Sequence, residues 1–176
     1  MDFLGELPTT QRGHDYILVV VDQFSKMAIL IACTKIVTTP QVAKLFFQHV
    51  WIYFGLPSSI VSDRDGHFLS HFWTHLWEMM DTKLKRSTSF HPQTDGQTEV
   101  VNRTVVHALR IYNSSHPKTW DESLPYIQYS YNRAMHRSIG VSPFEACMGF
   151  LPRSPIDLQL TISISTGSTS EQHGHE

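Results

Sequence analysis

The 176-residue sequence predicts an α/β domain. Two observations carry this. Three short strand-like runs lie ahead of residue 35, the one at 16–22 β-branched, and amphipathic helical patterns with recognisable caps dominate from residue 39 onward. Two further strand-like stretches, at 59–62 and 82–88, fall between the helices. Hydrophobic content of 41% and aromatic content of 11% are enough for one core. No apolar run approaches the ~18 residues of a membrane span, so no membrane partner is expected. The opening MDFLGELPTTQRG has no basic stretch followed by an apolar one, which argues against a signal peptide. Cys33 and Cys147 read as buried small hydrophobes in a reducing compartment, too few for a cysteine-based zinc module.

Each element has a local reason. Residues 1–4 read as the end of a first strand. YILVVVD, Tyr16 to Asp22, is short and β-branched, and MAILIA, Met27 to Ala32, follows after the turn-like QFSK. Strands joined so closely pair antiparallel. Thr39 and Pro40 form a helix start, with Val42, Leu45, Phe46, Val50 and Tyr53 on one face and Gly55 and Pro57 as the stop. SIVS, Ser59 to Ser62, is a strand that delivers Asp63 at its end. Ser70 caps a helix to about Met80, with Phe72, Leu76, Met79 and Met80 inward. Thr82 to Thr88 reads as an edge strand, and Ser89 to Gly96 as a loop. A long helix over about 97–114 turns Val101, Val105, Ala108, Leu109 and Tyr112 inward. Helices over Thr119 to Arg133 and after Ser142-Pro143 complete the domain, 1–158. The Ser/Thr/Gly-rich stretch 159–176 reads as a disordered tail. This order matches, by analogy, a ribonuclease-H-like fold: a mixed five-stranded sheet flanked by helices.

The chemistry concentrates in three acids. Asp63 lies in SDRDG and Glu99 in HPQTDGQTE, with 99 − 63 − 1 = 35 residues between them; Asp2 lies in MDFLGELP. With ILVVVDQFSK, GLPSSIVSDRDGHF, HPQTDGQTEVVNRT and YNRAMHRSIGVSPFEACMGFLP in that order, residues 1–158 resemble the integrase catalytic core of gypsy-type LTR retrotransposons, especially those of plants, within the retroviral integrase superfamily. The resemblance implies a polynucleotidyl transferase for DNA 3′-end processing and strand transfer. It makes Asp2, Asp63 and Glu99 both catalytic and metal-binding, with Asp2 bridging two Mg²⁺ or Mn²⁺ ions. Two ions about 3.5–4 Å apart hold an attacking and a leaving oxygen in line, and hard oxygen ligands suit them. The partners it implies are retroelement-end and target DNA and further copies of the chain. The location is the nucleus or a retroelement particle in the cytoplasm, with no targeting signal visible.

Arg64, His91, Asn102, Arg103 and Arg110 are the expected DNA-binding residues. Arg103 stands four after Glu99 on one helix face, where it meets phosphate or pairs back to Glu99. Asn102 reads equally as a hydrogen-bonding support for the site, and Arg64 as a pin for the loop after Asp63. The net charge of −2 is unfavourable for DNA, but residues 83–118 hold six basic against two acidic residues, 6 − 2 = +4. Asp22 reads as a turn cap more than a ligand, Asp65 as a loop acid and Asp95 as a turn or cap. His67, His71 and His75 read as surface positions in preference to a zinc site. The alternative function is a non-catalytic remnant or domesticated module that binds nucleic acid or protein. It is favoured by a first strand that starts one residue before Asp2, and by the missing upstream zinc module and basic tail of the family.

Overall fold

The computed structural model describes residues 1–62, 66–79, 96–155 and 157. Strands β1 (Asp2–Leu4), β2 (Tyr16–Val21) and β3 (Ala28–Cys33) form an antiparallel sheet in the order β1-β2-β3. Asp2 stands opposite Val19, and Tyr16 opposite Cys33. Asp22 builds the β2–β3 turn: its Oδ2 accepts from the Ser25 N–H at 2.8 Å and the Ser25 hydroxyl at 2.7 Å. Lys26 takes the left-handed conformation, φ 62°, that closes the turn.

Alternation along β2 and β3 divides the core in two. Leu18 and Ile31 face α1 (Thr39–Phe46) and α3 (Gly66–Met79), where Phe46 meets Phe72 edge-on at 5.4 Å. Ile17, Val19, Ala28 and Leu30 face the other way. They pack on Val101, Val105 and Leu109 of α4 (Gly96–Tyr112) and on Trp120, Leu124 and Ile127 of α5 (Trp120–Arg133). A period of two thus feeds both faces of one sheet. Helix α6 (Pro143–Met148) has a capping box, with Ser142 and Glu145 bonding reciprocally.

Several expectations are corrected. Among the described residues the sheet has three strands, not five. Residues 59–62 form no strand. The Met1 amino group donates to the Val61 carbonyl at 2.8 Å, and the stretch carries no strand hydrogen-bond ladder among the described residues. The stretches 82–88, 89–95 and 159–176 lie outside the described residues. The cap of α1 is Thr38, not Thr39: its amide and hydroxyl donate to the Gln41 side chain, and Pro40 sits in the first turn. After Phe46 the helix takes a π-helical turn, Phe47–Trp51, in which the Ile52 N–H bonds the Phe47 carbonyl, before α2 (Ile52–Phe54). The extra residue in that turn rotates the end of the helix, so Val50 stays buried while Tyr53 faces solvent. Helix α3 starts at Gly66, so Ser70 is internal, and Met79 is exposed in its last turn. Tyr112, in the last turn of α4, is exposed beyond the end of the sheet face. Cys33 is buried as expected, but Cys147 is exposed near the end of the short helix α6.

Helix α5 also covers the free edge of β3. The fully buried Asn132 accepts from the Ala28 N–H and donates to the Ala28 carbonyl, both at 2.8 Å. One turn earlier, the Gln128 side-chain oxygen accepts from the Leu30 N–H at 2.7 Å. An open strand edge is a template for unwanted pairing, and these amides occupy it. The link between β1 and β2 is tied to the start of α5, where His14 Nδ1 and the Thr10 hydroxyl meet Asp121 Oδ2 at 2.8 and 3.1 Å.

Candidate active site

The site starts from β1. Asp2 stands opposite Val19, and Val19 packs in the cluster that seats Val101 of α4. The residue after Val101 therefore arrives at Asp2: Asn102 Nδ2 donates to Asp2 Oδ2 at 2.7 Å. The other carboxylate oxygen, Oδ1, accepts from the Phe3 N–H at 2.7 Å. Both oxygens are thus held, and each keeps lone-pair capacity. Asn102 Oδ1 is buried and has no hydrogen-bond partner among the described residues.

Glu99 is three residues before Asn102 on α4, so it lies on the same side of the helix, one turn away. Its Oε1 faces the Arg103 guanidinium at 3.4 Å, with the two side chains 74% and 79% exposed. Such a pair is held weakly, so Glu99 is free to turn to another cation. Arg110 is exposed two turns beyond Arg103. Asp63, Arg64, Asp65, His91 and Asp95 lie outside the described residues. The segment leading to Asp63 is described as far as Ser62, which is buried, and Val61 touches the start of β1 through Met1. The structure thus brings Asp2 and Asn102 into contact, with Glu99 one helical turn before Asn102 and Arg103 the residue after it.

Asp22 is committed to its turn through Ser25. His71 is exposed and His75 pairs with Glu78 at 3.1 Å. Among the described residues no group of three His, Cys, Asp or Glu side chains could hold a metal ion. The oxygen donors are the Asp2 carboxylate and the amide oxygen of Asn102, with the Glu99 carboxylate one helical turn from Asn102 on α4. That is the set a hard divalent cation takes, so these residues fit one, with Asp2 as its fixed ligand. The Asp2–Asn102 bond joins residues 100 apart in sequence, and the only sequence signal for it is an asparagine one helical turn after Glu99.

No protein-family model matches the chain. It is 42% identical over 173 residues to the Tf2-3 and Tf2-4 transposon polyproteins of Schizosaccharomyces pombe; the match covers 98% of this chain and 13% of each polyprotein. Among solved structures it is similar to the HTLV-2 integrase catalytic core domain in complex with magnesium, with TM-score 0.57, 18% identity, and 82% of this chain and 94% of that one covered. It is likewise similar to the catalytic core domain of BIV integrase, with TM-score 0.54, 19% identity, and 93% and 97% covered. These two likenesses establish the ribonuclease-H-like fold of integrase cores, with the sheet described here as its antiparallel part. Joined to the polyprotein match over nearly the whole chain, they make the chain a relative of the Tf2 retrotransposon polyproteins with the fold of retroviral integrase catalytic cores.

Proposed function

We propose that the chain is the catalytic core of a retrotransposon integrase, a polynucleotidyl transferase that trims DNA 3′ ends and joins them to target DNA. The observation that carries this reading is Asp2, fixed on β1 by Asn102 of α4, the helix that also carries Glu99. In support, the HTLV-2 core of the same fold was solved with magnesium. Two bound Mg²⁺ or Mn²⁺ ions would hold the attacking and leaving oxygens and offset charge on the phosphorus. Asp2, Asp63 and Glu99 would be the carboxylates that hold these ions. Arg103 and Arg110, with Arg64 and His91, hold DNA phosphates. Turning Arg103 to phosphate releases Glu99, so substrate binding and completion of the ligand set are coupled. Whole-protein integration rests on more than this domain, since the chain spans about an eighth of the polyproteins it matches. DNA ends held by several copies of the chain, in the nucleus or a cytoplasmic retroelement particle, are part of the same proposal. Among the described residues no helix is long and apolar enough to cross a membrane.

The test is strand transfer on a branched DNA substrate with Mn²⁺ at low salt, comparing the chain with its Glu99→Gln variant. Weak product that disappears in the variant is expected. Equal product from both would refute the site. The second reading, a non-catalytic nucleic-acid-binding remnant, is favoured by the solvent-facing Glu99–Arg103 pair, and by no product from a folded chain.

A further inference from the structure

We infer that Ser154 is a phosphorylation site for a proline-directed protein kinase, and that a phosphate there takes the Arg133 guanidinium from Asp157. Three hydroxyl residues of the chain precede a proline: Thr39, Ser142 and Ser154. The fold offers them unequally to an enzyme that must draw its acceptor out as an exposed, extended segment. Thr39 is the first residue of α1, and pulling it away opens the turn that carries the buried Val42 and Ala43. Ser142 is 2% exposed, and its capping box with Glu145 seats the buried Phe144. Ser154 is half-buried in irregular backbone between the exposed Arg153 and Pro155, with the exposed Phe150 and Leu151 ahead of it. The proline also biases Ser154 toward extended backbone. Loops of this kind are where modifying enzymes reach a folded chain.

The contacts around Ser154 determine what the phosphate does. Asp157 Oδ2 accepts from the Ser154 N–H at 2.6 Å, the Ser154 hydroxyl at 2.9 Å and Arg133 Nη2 at 2.6 Å. The same arginine donates from Nε to the Pro152 carbonyl at 3.3 Å, and the Tyr129 hydroxyl meets the Pro152 and Arg153 carbonyls at 3.1 and 2.9 Å. One cation of α5 therefore already stands beside the acceptor hydroxyl. In the transfer, Ser154 Oγ attacks the γ-phosphorus of ATP. The new Oγ–P bond replaces the bond from that phosphorus to the bridging oxygen. ADP leaves, and the hydroxyl proton passes to the kinase's base. The product carries about −1.5 to −2 charge at neutral pH and three acceptor oxygens. Ser154 Oγ then has no proton to donate to Asp157, and two anions compete for one guanidinium. The more highly charged phosphate, which the planar guanidinium pairs bidentately, wins it.

The experiment incubates the full folded chain and its Ser154→Ala variant with ATP and a proline-directed kinase that is active on a Ser-Pro peptide. Mass spectrometry then locates the phosphate. One phosphate at Ser154, none at Thr39 or Ser142, and none on the variant are expected. No phosphate at Ser154, or equal phosphate at all three positions, overturns the site. The second measurement is a phosphorus NMR titration of the phosphorylated chain beside phosphorylated Arg133→Gln. A cation on the phosphate favours its dianion, so the wild-type midpoint is expected to lie below that of Arg133→Gln. Equal midpoints overturn the transfer of Arg133 even where Ser154 is modified. Hydrogen exchange gives a third reading: the Ser154 amide, which donates to Asp157, is expected to lose protection on phosphorylation, and unchanged protection shows that Asp157 has kept its place.

Discussion

Asn132 offers a sharp test of how the sheet that carries Asp2 is held. It is fully buried on α5, and its amide exchanges two hydrogen bonds with Ala28 on the outer edge of β3, both at 2.8 Å. Asn132→Leu keeps the volume and removes both partners. One buried N–H and one buried carbonyl of β3 then lose their partner. Each such group costs about 1–3 kcal/mol, so the loss is about 2–6 kcal/mol. That is a large part of the about 5–15 kcal/mol a domain has. At about 2–4 °C per kcal/mol for a domain of this size, the melting temperature should fall by roughly 4–24 °C. Thermal and urea unfolding measure the loss, and hydrogen exchange at the Ala28 amide locates it. Gln128→Leu serves as a control, since it removes one bond, to Leu30, and should cost about half as much. If Asn132→Leu unfolds within about 0.5 kcal/mol of wild type, as an unremarkable surface change does, the edge-covering argument is wrong.

Other perturbations address the core, the charges and the C-terminal segment. Leu18→Ala, at a fully buried position between β2 and the α1–α3 layer, should cost about 2–5 kcal/mol in urea unfolding; a loss under 1 kcal/mol, on the order of an Ile→Val change, would contradict the packing described. Arg103→Ala and Arg110→Ala should each lower the slope of log DNA affinity against log salt by about 1, and an unchanged slope removes that residue from the interface. The Asp157 carboxyl is held below the ordinary carboxylate range, first by the Ser154 N–H and hydroxyl and then by the Arg133 guanidinium at 2.6 Å. A depressed folded value means the contribution is present above the unfolded pKa of about 3.9 and is lost as pH falls through the folded one. Exchange at the Ser154 amide should therefore lose protection on acidification below that range; constant protection would show that the carboxylate does not hold this segment.

Much of the fold could be read locally. ILVVV at 17–21 carries no polar residue because its alternate side chains serve two cores, and a strand buried on both faces needs both to be apolar. Ser142, Pro143 and Glu145 specify the start of α6 within four residues. Asp22 next to a turn sequence specifies a turn, since its partner Ser25 is three residues away. The acids Asp2, Asp63 and Glu99 were visible because the words around them are long and ordered. What the sequence left open depended on how layers pack. The π-helical turn at 47–51 has no periodic signature, and it decides that Tyr53 faces solvent. Asn132 looks like any polar residue on a helix until α5 is laid along β3. The bond from Asn102 to Asp2 exists because α4 seats Val101 against the sheet beside Val19, directly across from Asp2. Periodicity and capping are short-range, so the chain determines its elements and candidate acids by itself. Which amide meets which carboxylate is fixed only when two elements a hundred residues apart share a core.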